Sequence, residues 1–205
     1  MSAMAAEIEQ GTPRTLINRS SDLLNAAAVL FASQGYHRTT IRDITSAIGM
    51  TSGSSYYHFS SKAEILLAVY EEGISSVRRS VETALAEANN LEPWGQLEAA
   101  LTGHIAAVLD ESSYARTIIA VLPGDVPELR AELTELRDAY ETQWRELVEA
   151  LETPLDTDLL RLFLIGAANS TQVWFREGGA GVVEIARFIV DVLRLPLENT
   201  TGTNL

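Results

Sequence analysis

The sequence predicts an all-α protein, and three observations carry that prediction. Apolar residues recur at three- and four-residue spacing along most of the chain, as Leu23, Ala27, Leu30 and Phe31 do near its start. No stretch alternates apolar and polar residues between hairpin turns, and no repeat of fixed period is present. The interruptions are of the kind that end helices: Gly35, Gly49, Pro123-Gly124, Pro154 and Gly178-Gly179.

Taken in order, the first helix starts near Arg14 and stops at Gly35, a natural left-handed cap. Thr40 with Asp43 has capping-box spacing and opens a short helix that carries Ile41, Ile44 and Ile48 and closes at Gly49. After the turn through Gly49 and Met50, Thr51 caps a third short helix running through Ser54 and Tyr57. Ser61 with Glu64 repeats the capping spacing and opens a long helix to about Ala88, with Ile65, Val69, Ile74, Val77, Val81 and Leu85 on one face. Beyond Pro93 helical segments are expected near Trp94–Leu109, Ser113–Leu122, Pro127–Leu151, Asp156–Arg176 and Val182–Leu195.

A chain of 205 residues with 46% hydrophobic residues suits one compact domain or a small domain leaning on a larger one, and excludes disorder as the main state. The absence of cysteine removes disulfides, thiolate catalysis and cysteine-ligated metals. Met1–Thr12 has neither a basic cluster nor an apolar run, so it reads as a frayed tail and not as a targeting segment. The longest apolar stretch, Leu159–Phe175, is interrupted by Arg161, Asn169 and Gln172, so a soluble, cytoplasmic protein without membrane association is expected.

Two short capped helices joined at a glycine and preceded by a longer one are the parts of a helix-turn-helix, placed at about residues 40–59. Small bundles that bind nothing also contain such turns, so the side chains matter. Thr51, Ser52, Gly53, Ser54 and Ser55 are small and let a helix N-terminus approach a phosphate or base edge. Tyr56, Tyr57 and His58 follow, and three consecutive side chains cannot all face one core. The net charge of −13 argues against nucleic acid only in bulk. Up to Lys62 there are five basic and four acidic residues, and beyond it ten and 24, so the acidity lies away from the proposed DNA face. Lys62, the sole lysine, reads either as a phosphate clamp or as a solvated surface group.

The run Thr39-Thr40-Ile41-Arg42-Asp43-Ile44, then Gly49, then Ser52-Gly53-Ser54-Ser55-Tyr56-Tyr57-His58-Phe59-Ser60-Ser61-Lys62-Ala63-Glu64 resembles the DNA-binding domain of the tetracycline-repressor (TetR) family across roughly Arg14–Tyr70. The resemblance implies a DNA-binding domain over residues 14–70 and a ligand-binding and dimerisation domain over 71–197. It implies phosphate contacts from Thr40, Thr51, Ser52, Tyr57, His58 and Lys62, with Arg42, Gly53, Ser54 and Tyr56 near base edges. Two residues depart from the family pattern. Thr45 replaces a common alanine, and Ser55 replaces a core-plugging leucine or isoleucine, which either loosens the short helix or frees a hydroxyl for DNA.

The resemblance further implies a homodimer built on the last two long helices. The surplus apolar residues agree in outline: Leu159, Leu160, Leu162, Phe163, Leu164, Ile165, Val173, Trp174 and Phe175 are joined by Val182, Val183, Ile185, Phe188, Ile189, Val192 and Leu193 in the final helix. Polar or aromatic residues inside apolar helical segments are the effector-pocket candidates: His104, Tyr114, Trp144, Asn169, Thr171 and Gln172. Asn169–Gly179 also resembles the tail of TetR-type regulators that sense acyl-coenzyme A thioesters, whereas the apolar setting equally suits a plain hydrophobic effector.

The expected function is therefore a ligand-responsive regulator, a repressor that binds an inverted-repeat operator as a dimer and is released by its effector. A helical ligand carrier or adaptor without DNA binding is the alternative. No catalytic residue, metal site or cofactor is expected: His37, His58 and His104 are far apart, and there is neither a glycine-rich phosphate loop nor a nucleophile elbow.

Overall fold

The computed structural model describes residues 13–110 and 113–201, with side chains described over 19–110 and 113–194. The expected frayed tail, Met1–Thr12, lies outside the described residues. Among these, the elements run α1 (Pro13–Gln34), α2 (Ile41–Ala47), α3 (Ser52–Ser55), α4 (Lys62–Glu87), α5 (Pro93–Leu109), α6 (Ser113–Ala120), α7 (Arg130–Glu149), α8 (Thr157–Trp174) and α9 (Val182–Thr201). Two single 3-10 turns, Pro123–Asp125 and Pro127–Leu129, join α6 to α7. The fold is all-helical.

Local chemistry sets the boundaries. α1 ends where Gly35 takes φ +84° and its amide returns to the Phe31 carbonyl at 3.1 Å. At α2 the Thr40 hydroxyl accepts from the Asp43 amide while the Asp43 carboxylate accepts from the Thr40 amide, a complete capping box. At α4 the Ser61 hydroxyl accepts from the Glu64 amide, but Glu64 reaches one residue further back, to the amide and hydroxyl of Ser60. These bonds hold the Asp43 and Glu64 carboxyls below the usual carboxylate range.

The third helix is shorter than the sequence suggests. α3 stops at Ser55, because the amides of His58 and Phe59 both converge on the Ser55 carbonyl, at 2.9 Å each, and the ladder closes into a turn that carries Tyr56 and Tyr57. Ser55 is fully buried and its hydroxyl donates to the Ser52 carbonyl at 2.7 Å, so of the two outcomes for this residue the free hydroxyl is excluded. Thr45 is likewise buried and bonded to the Arg42 carbonyl at 3.1 Å. At the other end α9 continues through Pro196, past the expected stop at Leu195.

α1, α2, α3 and the first turns of α4 form a small head, and the rest of α4 packs with α5–α9 as the body. One core runs through both, from Phe31, Ile44 and Ile65 past Tyr70 to Leu101, Trp144 and Leu164. α4 and α5 meet so closely at Gly103 that a Cβ there would lie 2.6 Å from the Ser80 carbonyl oxygen and 3.0 Å from the Val81 Cα. The Ser80 hydroxyl donates to the Gly103 carbonyl at 2.8 Å and stitches the same crossing. Because the obstructing atoms are backbone, Gly103→Ala is expected to lower unfolding stability by about 1–3 kcal/mol, measured by denaturant titration. The helix-propensity gain of alanine, about 1 kcal/mol, is too small to offset the clash.

Candidate functional site

The turn after α3 presents the most exposed aromatic side chains of the head. Tyr57 is 90% and Tyr56 59% exposed, and their outward position has no packing explanation. Thr40, Arg42, Thr51 and Gly53 are exposed beside them, with Ser52, Ser54 and His58 half-buried. Some of the hydroxyls are engaged locally: Thr51 and Ser54 lie 2.9 Å apart, and Thr40 donates to Asp43 at 2.7 Å. Among the described residues, the Tyr56 and Tyr57 hydroxyls and the His58 ring are hydrogen-bonded to no protein atom. The nine residues are thus all at least partly exposed, on α2, α3, their caps and the following turn.

Of the two readings of Lys62, the structure excludes the solvated surface group. Its ammonium donates to the Tyr36 carbonyl at 2.9 Å and the Thr39 carbonyl at 3.0 Å, and sits 4.1 Å from the centre of the Tyr36 ring. It fastens the α1–α2 loop to the start of α4, which leaves at most one of its three N–H donors for a phosphate. Partial burial holds its pKa below the usual lysine value, opposed by the Glu128 carboxylate. Tyr36 is raised to about 12, first by burial and then by the charge of Glu128, to which its hydroxyl donates at 3.3 Å.

The head is tied to the body chiefly through α6 and the turns that follow it. The buried Thr117 hydroxyl bonds the Ala28 carbonyl of α1 at 2.9 Å, and the Tyr114 hydroxyl donates to Asn25 at 2.8 Å. The His37 ring lies 2.7 Å from the Asp125 carbonyl. Tyr114 is therefore a joint between head and body.

Inside the body a cavity of about 40 Å³ is walled by Ile74 and Val77 of α4, His104 and Val108 of α5, Ala115, Ile118 and Ile119 of α6, Arg137, Tyr140 and Glu141 of α7, and Ile165 and Asn169 of α8. That space holds no more than a few waters, against the roughly 300–1,000 Å³ of ordinary ligand sites. Its polar centre is a chain: His104 Nδ1 lies 2.7 Å from the Tyr140 hydroxyl and Nε2 lies 2.9 Å from Asn169 Oδ1. With the amide oxygen facing it, Nε2 carries the proton and Nδ1 accepts from Tyr140. Burial drives the His104 pKa down to about 4, partly opposed by the Asn169 bond, and pushes the Tyr140 phenol up.

Of the six residues read from sequence, His104 and Asn169 line the cavity. Trp144 stands behind them, its ring edge-on to His104 at 5.5 Å. Thr171 is buried and bonded to the Ala168 carbonyl of its own helix, and Gln172 faces a separate recess with Val108, Leu109, Asp110 and Arg116. Three polar wall residues are not among the candidates read from sequence: Arg137, Tyr140 and Glu141. They sit on a strongly charged helix whose pattern reads as solvated, and only the tertiary fold turns them inward. Glu141 is paired with the buried Arg161 of α8.

The family model described as bacterial regulatory proteins, tetR family, matches residues 23–69, and the tetracyclin repressor-like C-terminal domain model matches residues 90–196. The chain belongs to the TetR family. It is 33% identical over 181 residues to the HTH-type transcriptional repressor KstR2 of Rhodococcus jostii, covering 81% of this chain and 84% of that one. The crystal structure of superantigen PfiT matches with 32% identity, a TM-score of 0.68 and coverage of 84% and 94%. The structure of AibR in complex with isovaleryl coenzyme A and operator DNA matches in fold at 22% identity, with a TM-score of 0.73 and coverage of 85% and 97%. The chain is thus a TetR-family transcriptional repressor of the helix-turn-helix type and not an enzyme. Among the described residues no helix is long and apolar enough to cross a membrane.

Two outcomes are expected from these sites. A histidine held neutral at a pKa of about 4 is charged in the unfolded chain below about 6.5. The unfolded state therefore binds the extra proton, and stability falls as pH drops from about 6.5 to 4, by up to about 3 kcal/mol. Replacing His104 by Gln should flatten that window in denaturant titrations run at successive pH values. In the head of this TetR-family protein, Tyr57→Phe should leave the melting temperature unchanged, whereas Lys62→Ala should lower it, because only the lysine is part of the internal packing.

Proposed function

We propose that this repressor acts as a homodimer on an inverted-repeat operator and that a small effector, hydrophobic or of the acyl-coenzyme A kind, enters the body cavity and releases the DNA. The observation that carries the reading is the continuity of α4, whose first residue, Lys62, fastens the α1–α2 loop of the head and whose Ile74 and Val77 form one wall of the cavity. Anything that enlarges that cavity displaces the same helix that positions the head. The domain division at about residue 70 then falls inside α4, in the part shared by both functions.

In this reading Thr40, Thr51, Ser52, Tyr57 and His58 meet phosphates, and Arg42, Gly53, Ser54 and Tyr56 face base edges. Lys62 contributes mainly by holding the loop that carries Thr40. Dimerisation uses the exposed apolar face of α8, with Leu159, Leu162, Phe163, Val173 and Trp174, together with Val183, Phe188 and Val192 of α9. So many large apolar groups on one surface exceed what a monomer ordinarily exposes. The isovaleryl coenzyme A named for AibR and the small volume of the cavity both favour an effector that reshapes the body as it binds. A DNA reader of this kind works in the cytoplasm.

Selection of duplexes from a random library, followed by fluorescence anisotropy on the winner, tests the reading. The selected sequence should be an inverted repeat, with one dimer bound per repeat. Tyr57→Phe should weaken binding by about tenfold, as expected for a lost phosphate hydrogen bond. Recovery of no repeat, or equal retention by the Tyr57 variant, would overturn the proposed DNA face.

A further inference from the structure

The cavity wall has more donors than acceptors, and the surplus is concentrated on two residues. The His104–Tyr140–Asn169 chain is closed at its ring, but it fixes the Asn169 amide with its oxygen toward the histidine. Among the described residues, the Nδ2 group of Asn169 then has no acceptor. Arg137 donates only through Nη1, to the Ile118 carbonyl at 3.1 Å and the Tyr70 hydroxyl at 3.3 Å, so its Nε and Nη2 donors find none among the described residues either. On the acceptor side, Glu141 is committed to Arg161 through one carboxylate oxygen. The remaining wall is aliphatic: Ile74, Val77, Val108, Ile118 and Ile165 among others.

The position of Arg137 gives that surplus a consequence. The carbonyls of Ile118 and Val121 belong to the C-terminal end of α6, where the intrahelical ladder runs out. The Tyr70 hydroxyl reaches both, at 3.2 and 2.8 Å, and Arg137 adds its charge to the Ile118 carbonyl. One guanidinium thus faces the cavity and also caps the helix that holds the head through Thr117 and Tyr114.

We infer that Arg137 is the residue that reads the effector, by donating to the carbonyl oxygen of a thioester-linked acyl group in place of the Ile118 carbonyl, with the Asn169 amide as second donor. The inference rests on the acyl-coenzyme A reading above and deepens it. As the guanidinium turns toward the ligand, the end of α6 loses its charged cap and its hold on α1 slackens. Arg137 thereby acts as a positioning residue for the head as well as a ligand contact.

The test compares short- and medium-chain acyl-coenzyme A thioesters with the S-alkyl coenzyme A thioether matched to the tightest of them, which lacks only the carbonyl oxygen. Binding is followed by calorimetry on the full-length protein, and release by anisotropy on the selected operator duplex. The wild type should bind the thioester about tenfold or more tightly than the thioether. Arg137→Gln should bind both with equal, weak affinity, and Arg137→Lys should restore part of the discrimination, a pattern that a merely structural arginine would not give. Discrimination by Arg137→Gln equal to that of the wild type, or its absence in the wild type, overturns the role of Arg137 while leaving the effector class intact. Binding of no thioester by the wild type overturns the acyl reading itself. Should Arg137→Gln fail to fold, Asn169→Ser carries the same comparison, with loss of discrimination expected and full discrimination counting against the site.

Discussion

The junction between head and body depends on how the polar atoms of one short helix are satisfied. α6 is only eight residues long, yet it supplies the Thr117 hydroxyl to the Ala28 carbonyl of α1, and it leaves terminal carbonyls that Tyr70 of α4 and Arg137 of α7 must satisfy. An unmet carbonyl in that buried position costs about 1–3 kcal/mol, so the bonds are obligatory for the arrangement. Three helices from different parts of the chain are consequently referenced to one another through a few hydrogen bonds. The cavity has α6 as one of its walls, so the helix that holds the head also borders the space within the body.

Local signals made the head legible and long-range packing left the body obscure. The capping pairs Thr40–Asp43 and Ser61–Glu64 and the stop at Gly35 involve residues three or four positions apart, and each appears within a residue of its expected place. The end of α3 was missed because two amides share the Ser55 carbonyl, a tightening that no residue type announces. The structural role of Lys62 was not legible for a similar reason, since its partners are backbone carbonyls more than 20 positions away. In the body, His104 and Asn169 stood out as polar residues in apolar helices. Arg137 and Glu141 did not, because a charged residue on a charged helix carries no periodic signature of burial. Tyr114 and Thr171 were polar exceptions of the same kind, yet their hydroxyls serve a helix joint and a helix turn.

The charge distribution also gains a structural meaning. An acidic body attached to a nearly neutral head keeps polyanions from the flanks of the molecule and leaves one surface where they can approach. The exposed aromatic and hydroxyl groups on that surface offer hydrogen bonds and stacking faces more than raw positive charge. Affinity built in this way leans on geometry, and geometry is what a movable α6 can alter.

Leverage follows from α4 being unbroken over 26 residues. At a rise of about 1.5 Å per residue it is a rod roughly 39 Å long, so a tilt of about 5° at its inner end swings the outer end through roughly 3 Å. Two such rods, related by a twofold axis, would double the error between the surfaces they carry. In the proposed dimer, sub-ångström adjustments around a chamber that admits only a few waters would thereby be amplified into a mismatch of roughly 6 Å, nearly twice the spacing between neighbouring base pairs.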